Sequence, residues 1–234
     1  MTQADPLRLA VVVPTLNEAA HLPATLRSLA GQSAPAARLV VADGGSADRT
    51  VELARKYGAN VLVVSGRGRG GQVAAAVAQL DEEVVLIAHA DMVFSPGALE
   101  RIRHHLAANP DCPGGCLGHR FDSAARVYRM MEWFDRRRAL RGDSYGDQAQ
   151  FFRRDRIGEV GGFPDLPLME DVELARRLRR LGRPAYLNVP VTVSPRRFEH
   201  RGMARVMWAN WRFRRAYRRD GAAACRAIYE RYYS

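Results

Sequence analysis

The chain has 234 residues, of which 47% are hydrophobic and 26% charged, which suffices for one substantial core. The formal net charge is +11, and the positive excess lies entirely in the second half: residues 1–123 carry 11 basic against 12 acidic side chains, and residues 124–234 carry 25 against 13. Only Lys56 is a lysine, but this bias towards arginine is common to both halves. The asymmetry therefore indicates an acidic partner, a phosphate-bearing substrate or an anionic membrane surface.

Several features argue for a protein of the cytoplasm. No segment offers about 18 consecutive apolar residues, so we expect no membrane-spanning helix. The polar start, Met1–Pro6, lacks the charged and apolar stretches of a signal peptide. The three cysteines fit a reducing compartment. Cys112, Cys116 and His119 lack a fourth ligand and the usual zinc spacing, so we interpret the cysteines as ordinary loop thiols.

Strands and helices alternate in the first half. Apolar runs rich in valine predict buried parallel strands, and apolar residues at helical spacing predict helices. The predicted elements are a strand at Leu9–Val13, a helix at His21–Gln32, a strand at Leu39–Ala42, a helix at Asp48–Tyr57, a strand at Val61–Val64, a helix at Gln72–Leu80, a strand at Val84–Ala88, and a helix capped by Ser95 that runs to Ala108. This alternation predicts a parallel sheet covered on both faces.

Polar side chains follow four successive predicted strands. They are Asn17 and Glu18 after the first strand, Asp43 at the end of the second, Arg67 and Arg69 after the third, and Asp91 after the fourth. In open α/β sheets ligands bind outside the carboxyl ends of the strands. The sequence therefore predicts a binding site at this rim.

The second half is less regular. Its predicted elements are an amphipathic helix at Ala124–Leu140 with Val127, Met130, Met131 and Phe134 on one side, a turn at Gly142–Gly146, a strand at Ala149–Arg153, a helix at Glu170–Leu181, a basic aromatic helix at Arg201–Asp220 and a short closing helix. We find no internal repeat and no low-complexity linker.

Four motifs, in this order and at this spacing, resemble those of family 2 glycosyltransferases. They are VVPTLNE at Val12–Glu18, DGGSADRT at Asp43–Thr50, Ala90-Asp91, and Met169-Glu170-Asp171 with Gly161–Pro164 before it and Arg176–Leu178 after it. The similarity covers roughly residues 8–200 and extends to a bacterial subgroup described as radical-SAM-associated transferases. It implies a GT-A fold, an α/β Rossmann-like and mostly parallel sheet flanked by helices.

The resemblance also implies a domain organisation and a reaction. A GT-A domain over residues 1–200 would comprise a donor-binding half at about 8–123 and an acceptor and catalytic half at about 124–200, with basic aromatic helices at 201–234 packed on it. The reaction would be an inverting transfer of a sugar from a UDP- or GDP-sugar to an acceptor hydroxyl, assisted by Mg²⁺ or Mn²⁺.

Most of the implied donor-binding residues lie at the predicted strand ends. They are Pro14, Thr15, Asn17, Glu18, Asp43, Gly44, Gly45, Arg67, Arg69, Gln72, Ala90 and Arg197. Asp43 is suited to accept from a nucleobase N–H or a ribose hydroxyl, and the Gly-Arg alternation at Gly66–Gly71 suits a diphosphate, since arginine makes bidentate phosphate contacts. Two alternatives stay open: a capped turn at Asp43 and a solvated loop at Gly66–Gly71.

The resemblance assigns metal binding to Asp91 and general-base catalysis to Asp171, with Glu170 as its neighbour. Family members commonly carry Asp-x-Asp where this sequence has His89-Ala90-Asp91, so His89 would contact ribose or support the ligand. His200 is either a distant ligand or a surface residue. The alternative for the acidic pair is simple stabilisation of a helix N-terminus. Gly146, Asp147 and Gln148 would line the acceptor or donor-sugar side.

The C-terminal region carries two further signals. Ser194–Phe198 is similar to the Gln-x-x-Arg-Trp motif of processive relatives, but its Gln and Trp are lost, which argues against a polymerising enzyme and leaves Arg197 to clamp the diphosphate. Between Arg201 and Arg219, seven arginines alternate with aromatic residues: Trp208, Trp211, Phe213 and Tyr217. This composition fits a membrane interface, or a helix that covers the sheet with its tryptophans inward.

Two other functions are considered. A nucleotidyltransferase would carry a Gly-rich loop with arginine after the first strand, where Pro14–Asn17 stands instead. A nucleic-acid-binding protein does not explain acidic residues at successive strand ends, so no nucleic-acid partner is expected. The expected partners are a nucleotide-sugar donor and a small or lipid-linked acceptor. We also expect a cytoplasmic protein that makes peripheral contact with the inner face of an anionic membrane.

Overall fold

The structure, a computed structural model, describes the backbone of residues 7–233 and the side chains of residues 7–230. The polar segment Met1–Pro6 lies outside the described residues. The described chain forms one mixed sheet whose strands are β1 (Leu9–Thr15), β2 (Arg38–Asp43), β3 (Asn60–Val63), β4 (Val84–Ile87), β5 (Met92–Phe94), β6 (Gly114–Phe121), β7 (Gln150–Arg153) and β8 (Ala185–Val193).

Helices connect and cover these strands. They are α1 (Leu22–Ala30), α2 (Thr50–Lys56), α3 (Gly68–Val77), α4 (Ala98–Ala108), α5 (Arg126–Ala139), α6 (Arg154–Gly158), α7 (Glu170–Leu181), α8 (Arg196–Arg201), α9 (Met203–Asp220) and α10 (Ala222–Tyr233), with a 3-10 turn at Gly146–Gln148. None of the helices in the described part combines the length and the apolar composition that crossing a bilayer requires.

The strand order is β3-β2-β1-β4-β7-β6-β8-β5. Strand β1 pairs in parallel with β2 and β4, and β2 pairs in parallel with β3, which confirms the predicted parallel half. Strand β7 runs antiparallel to both β4 and β6, while β6 pairs in parallel with β8. The sheet is therefore mostly parallel and belongs to an α/β fold, as predicted.

Two apolar clusters form the core, one on each face of the sheet. Successive side chains of a strand point to opposite faces, so Leu9, Val11 and Val13 of β1 join one cluster while Ala10 and Val12 join the other. The first cluster contains buried leucines of α1 and α4, and the second contains buried residues of α3 and α7. Both faces are covered, which explains why β1 is apolar without alternation.

Three helix boundaries and three strands differ from prediction. Helix α4 begins at Ala98 after Gly97, whose φ is +73°, so Ser95 is not its cap; the Ser95 hydroxyl donates to the Pro190 carbonyl instead. Helix α3 begins at Gly68, four residues earlier than predicted. Gly202, with a φ of +78°, ends the unpredicted helix α8, so α9 begins at Met203 and the predicted first residue, Arg201, belongs to α8. Strands β5, β6 and β8 were not predicted.

The cysteines are not loop thiols, apart from Cys112. Cys116 lies on β6, Cys225 lies in α10, and all three thiols are free and buried. Burial raises the pKa of Cys116 to about 12. This thiol is therefore protonated and unreactive at neutral pH.

Candidate active site

The loops after β1 and β2 are joined into one rigid edge. The Asn17 N–H donates to Ser46 Oγ at 2.8 Å, and Asn17 Oδ1 accepts from the Ala47 N–H at 2.9 Å. The Glu18 N–H donates to Thr50 Oγ1 at 2.8 Å. Asn17 adopts a φ of +55°, a conformation that asparagine tolerates better than most residues. The VVPTLNE and DGGSADRT motifs thus form one wall.

Asp43 is buried at the base of this wall. Its Oδ1 accepts from Thr15 Oγ1 at 3.0 Å and from Ser46 Oγ at 2.5 Å, and its Oδ2 accepts from the N–H groups of Gly45 and Ser46 at 2.9 and 2.8 Å. The turn that the sequence left as an alternative is therefore present. A ligand N–H would have to replace one of these four bonds, and the hydroxyls of Thr15 and Ser46 are the two donors that can rotate away.

Gln72 supports the wall from α3. Its side chain is buried, and its Nε2 donates to the Thr15 carbonyl at 3.0 Å. A Cβ at Gly44 would lie 2.2 Å from this Nε2 and 3.3 Å from the Thr15 carbonyl oxygen, so only glycine fits there. Gln72 therefore acts as a buried brace, whereas the sequence predicted a diphosphate ligand.

The Gly-Arg segment packs against the loop before α7. A Cβ at Gly68 would lie 2.7 Å from Pro167 backbone atoms, and one at Gly70 would lie 2.0 Å from the Leu166 carbonyl oxygen. Arg67 forms an ion pair with Asp165. Gly68 and Gly70 are thus required by close backbone packing at the start of α3, whereas residues 65–67 form an exposed turn before it.

Arg69 faces the acidic pair that begins α7. Its Nε forms an ion pair with Glu170 Oε1, and its Nη2 lies 3.8 Å from Asp171 Oδ2. Glu170 is only 4% exposed, and burial raises the pKa of its carboxyl, with Arg69 acting in the opposite direction. Glu170 Oε2 has no hydrogen-bond partner among the described residues. Arg69 therefore joins the predicted donor side to the predicted catalytic side.

Asp171 is fixed at the mouth of the cleft. Its Oδ2 accepts from the Gly146 N–H at 2.8 Å, and its Oδ1 accepts from the Val172 N–H at 2.9 Å. Gln150 Nε2 donates to the Asp171 backbone carbonyl at 2.9 Å. The side chain keeps 16% of its surface exposed. It is thus held rigidly and still open to a ligand.

His89 lies between Asp171 and Asp91. Burial, and secondly the positive charge of Arg69, lower the pKa of His89 to about 4, although Asp91, Asp171 and Asp147 oppose the shift. The imidazole is therefore neutral at physiological pH. Asp91, Asp171 and Asp147 all lie close enough to His89 to act on its pKa. That Asp91 and Asp171 share one binding cleft stays a prediction.

Arg196 closes the opposite side of the cleft. Its Nη2 donates to Glu18 Oε1 and Oε2 at 2.8 and 2.9 Å and lies 3.4 Å from Asp91 Oδ2. The sequence favoured its neighbour Arg197, whose Nη2 donates instead to Asn210 Oδ1 at 3.2 Å. Arg197 also lines a pocket of about 320 Å³ with Arg201 and Arg205.

The predicted acceptor residues form the 3-10 turn beneath these groups. Gln148 is buried, and its Oε1 accepts from the Tyr145 N–H at 3.2 Å, so this amide shapes the turn. Asp147 lies close enough to His89 to act on its pKa.

Two of the predicted donor-binding residues are engaged in the fold. The Ala90 carbonyl accepts from Thr25 Oγ1 at 2.7 Å, and Pro14 is buried within β1.

Residues 10–158, well over half of the chain, match the model of the family described as Glycosyl transferase family 2. The chain belongs to this family. This match confirms the family that the ordered motifs predicted. The sequence relatives cover it only in part: a Mycobacterium bovis "Uncharacterized glycosyltransferase Mb0553" is 34% identical over 106 residues, 45% of this chain and 46% of that protein. The chain matches between a fifth and just under half of the length of its curated relatives.

Solved structures support the GT-A fold of this family 2 glycosyltransferase. Staphylococcus aureus TarS 1–349 in complex with UDP-GlcNAc superposes with a TM-score of 0.64 at 18% identity, covering 80% of this chain and 58% of that chain. The mannosyltransferase PcManGT from Pyrobaculum calidifontis in complex with GDP-Man and Mn²⁺ superposes with a TM-score of 0.65 at 21% identity, covering 91% of this chain and 62% of that chain. The predicted fold class is confirmed.

Helix α9 contacts α7 and the segment before the 3-10 turn. Tyr217 of α9 donates to Glu173 of α7, and Arg214 Nη1 donates to Tyr145 Oη at 2.6 Å. Trp208 and Trp211 are 58% and 52% exposed, so the alternative with tryptophans inward is wrong. The apolar side of α5 is also exposed at Val127, Met130 and Phe134, and only Met131 packs against the core.

Proposed function

We propose that the enzyme transfers a sugar with inversion from a UDP- or GDP-sugar to an acceptor hydroxyl, with Asp171 as general base. The observation that carries this proposal is the Asp171 carboxylate, which is fixed by the Gly146 and Val172 amides, partly exposed, and near His89, on which Asp91 also acts. A base in this position accepts the acceptor's proton as its oxygen attacks the anomeric carbon, a contribution of typically ~10²–10⁴-fold.

The donor would lie between the wall and the cleft. Thr15, Asn17, Glu18, Asp43, Gly44 and Gly45 form the wall against which base and ribose would rest. Arg196 donates to a phosphate once its bonds to Glu18 and Asp91 open, and Arg69 carries a second positive charge on the catalytic side. Gln72 acts through the Thr15 carbonyl as a positioning residue. The UDP-GlcNAc and GDP-Man complexes of the two structural neighbours support both nucleotides as candidates.

Asp91 suits the cation that this reaction class uses. Mg²⁺ and Mn²⁺ prefer oxygen ligands, and a nucleotide-bound Mg²⁺ commonly takes one or two carboxylates together with the phosphates. Asp91 offers one half-buried carboxylate, so the residues present fit such a site. When bound, the ion neutralises the charge that builds on the leaving nucleoside diphosphate. The Mn²⁺ complex of PcManGT supports this assignment.

We also retain the proposed division into a GT-A domain at residues 1–200 and helices at 201–234, and peripheral contact of those helices with an anionic membrane. Arg212, Arg215 and Arg219 lie beside the exposed Trp208 and Trp211 on α9, and this combination fits a headgroup region. A lipid-linked or other anionic acceptor would be concentrated there.

The test is release of nucleoside diphosphate from a panel of UDP- and GDP-sugars with Mn²⁺, Mg²⁺ or EDTA, with the anomeric configuration of the product read by NMR. We expect Asp171→Asn to spare donor binding and to lower kcat, and Asp91→Ala to remove metal-dependent donor binding. Asp155→Asn is the matched control, because Asp155 is an exposed acidic residue in the first turn of another helix, α6.

If Asp155→Asn and Asp171→Asn lower kcat equally, Asp171 stabilises its helix and is not the general base. Failure of every donor to shift the melting temperature or to be cleaved would end the proposal for these donors. A product with retained configuration would overturn inversion while leaving the donor assignment in place.

A further inference from the structure

A second group of metal-ligating side chains lies on the acceptor side of the cleft. His119 of β6, Asp135 of α5 and Asp147 of the 3-10 turn each offer one ligand atom, and these atoms all lie within 4.8 Å of one another. The cluster does not include Asp91. Three elements separated in sequence thus bring one imidazole nitrogen and two carboxylate oxygens to a single point.

Two side chains of the cluster each have a buried polar atom without a hydrogen-bond partner among the described residues. The His119 side chain is only 1% exposed, and its Nε2 has no hydrogen-bond partner among the described residues; its nearest acidic atom is Asp135 Oδ2, at 3.5 Å. Asp147 Oδ1 is likewise buried without a partner there. Unpaired buried polar atoms are costly, and a cation bound to both of these atoms would offset that cost.

The charges around the cluster favour a cation. Asp135 Oδ1 accepts from Arg138 Nη1 at 2.7 Å, which leaves Oδ2 facing His119. Asp135 and Asp147 are both partly buried, and their ligand oxygens lie within 4.8 Å of each other. Two carboxylates forced together in a buried place repel each other, and a divalent ion would remove this repulsion.

We propose that His119, Asp135 and Asp147 bind a divalent transition-metal ion such as Zn²⁺, Co²⁺ or Mn²⁺ at a site separate from Asp91. One nitrogen and two oxygen ligands suit these ions, and three protein ligands leave a position for water or an acceptor oxygen. Ligand atoms of a tetrahedral site lie ~3.4 Å apart for metal–ligand bonds of about 2.1 Å, so binding draws the three side chains slightly closer. The ion also fixes the turn whose Gly146 amide holds Asp171.

The probe is Co²⁺ alone, without nucleotide, measured by equilibrium dialysis and visible absorption on the full chain. The wild type takes up a single tightly bound Co²⁺ and gains absorption typical of mixed nitrogen and oxygen ligands. His119→Gln and Asp147→Asn each weaken binding by more than about 100-fold, beyond the 10–100-fold cost of losing a supporting residue. Asp91→Asn leaves binding unchanged, which keeps this result independent of the donor-metal assignment.

The matched control is His104→Gln, because His104 forms an exposed histidine–carboxylate pair with Glu100. Far-UV circular dichroism of the metal-free variants establishes that each folds, and either ligand variant that folds suffices for the test. Co²⁺ uptake that persists in a folded His119→Gln or Asp147→Asn protein overturns the proposal. No tight Co²⁺ uptake by the wild type, or uptake lost only in Asp91→Asn or His104→Gln, overturns it as well.

Discussion

The backbone N–H of Gly146 donates to Asp171 Oδ2 at 2.8 Å, joining residues 25 positions apart. A Cβ at position 146 would lie 2.7 Å from His89 Cε1 and 3.3 Å from Asp171 Oδ2. Gly146→Ala therefore displaces the His89 ring and crowds the carboxylate of the proposed base, Asp171. We expect kcat to fall by up to about 100-fold, the cost of misplacing a reacting group by about 1 Å, with donor affinity nearly unchanged, as measured by steady-state kinetics.

Gly158→Ala provides the control, because a Cβ there meets nothing within 4 Å. It should leave kcat and the melting temperature close to wild type. An unchanged kcat in Gly146→Ala would show that the Gly146 amide does not position the base.

The first half of the site could be predicted from the sequence because parallel strands end at one edge. The β1–β2 register pairs Thr15 with Asp43, so the two motifs that follow these strands must meet. Their mutual hydrogen bonds follow from short polar side chains at turn positions. The sequence pattern does not show whether Asp43 stabilises the turn or binds a ligand, because both roles use the same carboxylate.

The residues of the second half of the site could not be predicted from strand ends in this way. Strand β6 begins with Gly114 and Gly115, where a Cβ would lie 2.3 Å from the Phe151 carbonyl and 2.1 Å from the Ala185 carbonyl. Glycine is required there by neighbouring strands, yet in a sequence it indicates a turn. Arg196 and the cluster at His119 depend on contacts across many residues of chain, which no local spacing reveals.

Arg196 and Arg197 form a natural pair of variants. Arg196 bonds Glu18 and approaches Asp91, whereas Arg197 bonds Asn210 on α9. We expect Arg196→Ala to weaken donor binding by about 10–100-fold, since a hydrogen bond to a charged group is worth about 1.5–3 kcal/mol. Arg197→Ala should change it less. Isothermal titration with UDP and GDP in the presence of Mn²⁺ measures both, and a larger loss in Arg197→Ala would restore the assignment made from sequence.

The variant Asp43→Asn distinguishes between a role of Asp43 in the turn and a role in donor binding. The new amide places an NH₂ group against the donors that now surround the carboxylate, so at least one hydrogen bond is lost. We expect the free energy of unfolding to fall by about 1–3 kcal/mol in urea titrations. If Asp43 also contacts the donor, nucleotide affinity falls further in the folded variant. Reduced stability with wild-type nucleotide affinity would identify Asp43 as a turn residue alone.

The exposed tryptophans of α9 allow the membrane proposal to be tested without touching the catalytic cleft. Trp208→Ser with Trp211→Ser removes two indoles and keeps every surrounding arginine. We expect partition onto vesicles of anionic phospholipid to fall by about tenfold or more, because indoles anchor at the headgroup level. Val63→Ser is the control, since Val63 is an exposed apolar residue on β3, the edge strand at the far end of the sheet. Sedimentation with anionic and with neutral vesicles measures each protein, and cleavage of the donor sugar in solution should remain at the wild-type rate. If all three proteins sediment equally with anionic vesicles, or if the wild type does not sediment with them, the proposed membrane contact of α9 is wrong.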